Sequence, residues 1–72
     1  MAKKEWIGEY VLYVEHFHSY KNKYIFEAVS LGKCLGIDEA CSKAVSALLR
    51  DYSNEKTREI YICDGWGQLI YM

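Results

Sequence analysis

The spacing of apolar and polar positions changes period twice along this chain. From Gly8 to His18 the residues are mostly β-branched, aromatic or aliphatic, which predicts a strand over 8–18. Alternation puts Tyr10, Leu12, Val14 and His16 on one side and Val11, Tyr13, Glu15 and Phe17 on the other. The polar run Ser19–Lys23, with turn-prone Asn22, predicts a hairpin and a return strand over 23–30. Gly32 and Gly36 then bracket an expected irregular connector containing Cys34. Beyond it the period lengthens to 3.6 residues: Ala40, Cys41, Ala44, Val45, Leu48 and Tyr52 form one stripe, and Lys43, Ser46, Arg50 and Asp51 fall away from it. This predicts a helix from Asp38 to about Tyr52. Asp38 is placed to accept from the first-turn amides and to meet the positive helix end. Ser53–Asn54 marks the end, because Asn tolerates the left-handed conformation that closes many helices. Period two returns at 58–63 and 68–72, with Asp64–Gly65 as a hairpin-turn dipeptide between these two strands.

The order is ββαββ in a single α+β domain spanning 1–72, with 1–7 as an N-terminal arm. A helix that carries the chain back after the second strand lets the third lie antiparallel beside the first. That gives a four-stranded antiparallel sheet in the order 2-1-3-4, with the helix on one face. The order 1-2-3-4 needs a parallel pair and is the alternative. One helix covers one face only. If Tyr10, Leu12, Val14, Tyr24, Phe26, Ala28, Ile60 and Ile62 face the helix, then Val11, Tyr13, Phe17, Ile25, Val29, Tyr61 and Cys63 face away. Sheets with one wet face normally alternate apolar and polar residues, and these strands do not alternate cleanly. The expected partner-binding residues are therefore Val11, Tyr13, Glu15, Phe17, Ile25, Glu27, Tyr61 and Trp66, taken together as the open face. Two other readings fit the same pattern. Tyr13 and Tyr61 can pair merely to stabilise the sheet, and Trp6 and Trp66 can fold over the open face and seal it.

Composition sharpens this picture. The 72 residues are 51% hydrophobic and 15% aromatic, with 7 Tyr and 2 Trp. That is rich for a chain near the lower size limit for a self-sufficient core. Tyr brings large contact area at low entropy cost, which suits protein contacts. The net charge of −1 gives no electrostatic basis for binding phosphate backbones or anionic membranes. An aromatic sheet face is also the architecture of single-stranded RNA platforms, but those need a basic rim. Here Lys3, Lys4, Lys21 and Lys23 are offset by Glu9, Glu15, Glu27 and Glu59. Direct nucleic-acid binding is therefore not expected.

Cys34, Cys41 and Cys63 form no CxxC pair and cannot all pair within one chain, which points to reduced thiols in a cytoplasmic protein. No run has the length of a signal sequence or a membrane span. His16 and His18 share a strand face and hint at a metal. The cysteines lack ligand spacing, however, and the expectation is no metal and no cofactor. No phosphate loop, nucleophile elbow or HExxH motif occurs. Cys41 sits in the first helical turn, where thiolates are favoured, but it lies on the apolar stripe. A non-enzymatic protein is expected.

The strand Gly8–Glu15, the segment Glu27–Ser30, the Ala-rich helix and the closing Ile60–Gly65 hairpin together resemble small phage-encoded anti-CRISPR proteins of ββαββ layout. The likeness spans Gly8 to Met72 and rests on element order and size, so it transfers no functional residue. It implies a stoichiometric inhibitor that occupies a host protein or protein–RNA complex in the host cytoplasm. The alternative from a different class is a homodimeric structural or regulatory module that packs through its open sheet faces.

Overall fold

In a computed structural model of the protein, which describes residues 5–71, five elements follow in order. They are β1 (Gly8–His18), β2 (Lys23–Cys34), α1 (Ile37–Asp51), β3 (Thr57–Cys63) and β4 (Leu69–Tyr71). Lys3, Lys4 and Met72 lie outside the described residues. The strands form one antiparallel sheet in the order β2-β1-β3-β4, and α1 packs on one face. Among the described residues no helix is long and apolar enough to cross a membrane.

The core lies between α1 and the central strands. Tyr10, Leu12 and Val14 from β1 and Ile62 from β3 are fully buried against Ala40, Ala44 and Ala47 of the helix. Alanine lets the helix approach the sheet closely, and the strands supply the bulk. The buried stripe is therefore narrower than the sequence suggests and is rotated toward Ala47. Val45 is exposed, and Cys41 and Leu48 only flank the core. Tyr52, just past the helix, is buried as expected.

The boundaries of α1 differ from expectation at both ends. Gly36 precedes the helix without a side-chain cap of its own. The carboxylate of Glu5 supplies one instead, its Oε1 accepting from Ile37 N at 2.6 Å, so the N-terminal arm does the work expected of Asp38. At the far end Tyr52 N donates to Leu48 O in a backbone conformation outside the left-handed region, and Asn54 has no positive φ. The left-handed asparagine is Asn22, in the β1–β2 turn.

Two turns fix which side chains share a face. His18 pairs with Lys23 across the four-residue Ser19–Asn22 turn, so His16 faces Ile25, Val14 faces Glu27 and Leu12 faces Val29. Ile25, Glu27 and Val29 thus lie on the helix side, and Tyr24, Phe26 and Ala28 on the open side, which inverts the expected phase of β2. Both faces of β2 are apolar, so hydrophobicity could not choose between them, whereas the turn length could. The strand also continues to Cys34, through a register shift opposite Tyr10 and Val11, where a connector was expected. The second hairpin is longer than an Asp64–Gly65 turn. Gly67 N donates to Asp64 O and Asp64 N to Gln68 O, while Asp64 Oδ1 accepts from the amides of Trp66 and Gln68 at 2.9 Å. Gly67, at φ 79°, is the residue that needs the left-handed conformation, as in a three-residue hairpin loop.

Candidate functional site

The face turned away from α1 is built from cross-strand pairs. Tyr13 of β1 and Tyr61 of β3 are directly opposed, and their rings stack at 5.4 Å with planes 26° apart. Tyr61 is also opposed to Tyr71 of β4, with ring centroids at 5.7 Å. Phe26 of β2 reaches Tyr61 at 5.9 Å. Toward the β1–β2 turn, Phe17 meets Tyr24 edge-on at 5.4 Å. A register shift between Val14 and His16 sets Arg58 and Glu59 opposite Glu15. The guanidinium of Arg58 lies 3.8 Å from the Tyr24 ring centroid and donates to Glu15 Oε2 at 2.8 Å. That hydrogen bond raises the guanidinium pKa above its ordinary value. The result is a run of rings across all four strands, interrupted by one ion pair.

Much of this surface is open to solvent. Phe26 is 51% exposed and Tyr71 68% exposed, and Leu69 is also exposed. Val11, Tyr13, Phe17, Tyr24, Tyr61 and Cys63 are half-buried, largely by one another. The tryptophans do not roof it. Trp6 packs against the core cluster, its Nε1 donates to Glu9 O, and its own carbonyl accepts from the Tyr10 hydroxyl. Trp66 meets Trp6 edge-on at 5.5 Å. Gly65 leaves room for the Trp6 indole, because a Cβ there would lie 2.1 Å from that ring.

Of the residues expected at an interface, Val11, Tyr13, Glu15, Phe17 and Tyr61 are brought together on the open face. Ile25 and Glu27 are on the other side of the sheet, because the β1–β2 turn sets the opposite phase. Trp66 sits in the β3–β4 turn beside Trp6. Tyr24, Phe26, Arg58, Leu69 and Tyr71 belong to the face and were not assigned to it from sequence. Counting the residues in the two hairpin loops would have found Phe26 and Tyr71, since each cross-strand pair has a fixed sum of residue numbers.

Glu27 instead joins a polar cluster under the end of the helix. His16 is buried, with Nε2 3.2 Å from Glu27 Oε1 and Nδ1 3.9 Å from Glu55 Oε1, and neither nitrogen has hydrogen-bond geometry to a partner. The Tyr52 ring meets the imidazole edge-on at 5.3 Å, and its hydroxyl donates to Glu27 Oε1. Burial, then that carboxylate, pushes the Tyr52 hydroxyl pKa well up. His18 has its Nδ1 occupied by the amide of Lys21 at 3.2 Å. Among the described residues no three His, Cys, Asp or Glu side chains gather as metal ligands. The cysteines are free thiols, and burial pushes the Cys34 thiol pKa up, away from the reactive thiolate.

Compared with known proteins, the chain matches no family model, no curated protein and no solved structure.

Proposed function

We propose that this chain is a non-catalytic protein-binding module whose contact surface is the aromatic face of its sheet. The observation that carries the reading is the exposure of Phe26, Leu69 and Tyr71 beside the Tyr13–Tyr61 stack. No element among the described residues covers that side. Contiguous apolar patches rimmed by polar groups mark interaction sites, and patches rich in tyrosine that carry an arginine have the composition of protein interfaces. A single-stranded nucleic acid fits less well. A base-stacking platform offers free ring faces, whereas Tyr13 and Tyr61 spend theirs on each other. Arg58, the cation amid these rings, is engaged by Glu15 and Tyr24, Lys33 lies opposite Glu9, and Glu59 adds a further negative charge.

The specific version of the reading is a phage or mobile-element inhibitor that occupies a host nucleoprotein complex in the cytoplasm, in line with the anti-CRISPR-like layout. It acts by stoichiometric occupation of a protein surface. The test is affinity capture from bacterial lysate with the wild-type chain and with Tyr13→Ala/Tyr61→Ala, alongside circular dichroism and light scattering of both. The expected result is a captured complex that the double variant loses while keeping a native spectrum. A tight two-fold dimer dissolved by the same substitutions would make the partner a second copy instead. An unfolded double variant would assign the rings to the core and remove the interface.

A further inference from the structure

Both outer strands of the sheet present an edge, and the two edges differ. β4 is three residues long, whereas β2 runs for twelve, and among the described residues no backbone pairs with its outer side. A very short strand is one protection against strand addition, which β2 lacks; its Lys23 and Lys33 oppose pairing with a basic strand rather than an acidic one. A groove of about 350 Å³ lies along the C-terminal half of this edge, between β2 and α1. Leu31 and Ala47, both buried, form its floor, and Ser42, Lys43, Ser46 and Arg50 of the helix form its rim. Two cations and no acid line it. Glu39 and Asp51 stand just outside, at 3.6 Å from Lys43 Nζ and 3.2 Å from Arg50. Lys43 Nζ also donates to the backbone carbonyl of Lys33 at 2.9 Å. A side-chain ammonium thus already satisfies a β2 carbonyl near the groove.

We propose that the outer edge of β2 is a second binding site, which takes an extended acidic peptide segment as a fifth strand. Main-chain hydrogen bonds to β2 supply the affinity, and every second side chain of the added strand points into the groove. Carboxylates of the added strand then exchange with Glu39 and Asp51 as partners of Lys43 and Arg50, since exposed ion pairs of this kind hold weakly, and the hydroxyls of Ser42 and Ser46 donate to them. A second copy of the chain suits the edge less well. Antiparallel self-pairing centred on Ala28 sets Lys23 against Lys33 at both ends, and like charges directly opposed destabilise a ladder. The site is independent of the aromatic face, since its groove lies on the helix side of the sheet.

The test uses the full chain with a capped heptapeptide alternating valine and glutamate, and the corresponding valine–lysine peptide. Hydrogen exchange of the β2 amides and fluorescence titration of labelled peptide are the readouts. The acidic peptide is expected to protect the β2 amides beside the groove, between Val29 and Cys34, and the lysine peptide is not. Lys43→Glu with Arg50→Glu, both at solvent-exposed positions, should weaken acidic-peptide binding by roughly tenfold or more while leaving circular dichroism unchanged. Equal protection by both peptides, protection by neither, or indifference to the charge reversal overturns the proposal. So does concentration-dependent protection of β2 without peptide, which assigns the edge to a second copy.

Discussion

The two faces of this sheet use apolar residues in opposite ways. On the helix side Leu12, Val14 and Ile62 interlock with Ala40, Ala44 and Ala47, all of them buried from water. On the open side the same strands carry rings that cover one another edge-to-face and by stacking, yet remain partly wet. The covered face fixes the fold because volume and shape must match there. The open face is tolerant, because a ring lost from it leaves water rather than a cavity. Stability should therefore reside chiefly in the first face and recognition in the second.

The sharpest way to break this contrast is to truncate one residue on each face and compare chemical denaturation midpoints. Leu12→Ala, at a fully buried site, should cost about 2–5 kcal/mol through lost burial and the cavity left behind, enough to threaten a domain of this size. Overfilling the same face comes next. Ala44→Leu forces the helix off the sheet and should cost about 1–3 kcal/mol. On the open face Tyr61→Ala leaves no cavity, so its total cost, about 0.5–1.5 kcal/mol of aromatic pairing plus the area of a half-buried ring, should fall below that of Leu12→Ala. A Tyr61→Ala penalty equal to that of Leu12→Ala would collapse the distinction.

Smaller effects refine the boundary between the faces. Glu5→Ala removes the cap from Ile37 N and should lower stability by about 0.5–2 kcal/mol, read as a shift in melting temperature. Alkaline pH probes the covered side. The pKa values of Tyr10 and Tyr52 are both raised above the ordinary 10.0, chiefly by burial. The folded state thus holds these protons more tightly than the unfolded chain does. Their contribution is complete below pH 10.0 and is lost as pH climbs from there toward the raised folded-state values. Absorbance titration should show Tyr10 and Tyr52 ionising above the ordinary 10.0, and denaturation midpoints should fall over the same range.

Much of this architecture was legible in the residues. Period-two runs and one 3.6-residue run predicted four strands and a helix, and chain direction after a crossover helix favoured the order 2-1-3-4, which the sheet has, over 1-2-3-4. The excess of apolar residues over what one helix can hide also followed from sequence, as did the membership of Val11, Tyr13 and Tyr61 in the uncovered face.

The tertiary structure alone decided the rest, for two physical reasons. First, β2 is apolar on both sides, so its phase was set by the four-residue Ser19–Asn22 turn rather than by hydrophobicity. That choice sent Phe26 into the open face and Glu27 to His16 and Tyr52. Second, the helix cap, the seat of Trp6 and the groove beside β2 each join residues distant in the chain: Glu5 with Ile37, Trp6 with Gly65, and Leu31 with Arg50. Periodicity reports what a residue does within its own element, and only packing brings separate elements into contact.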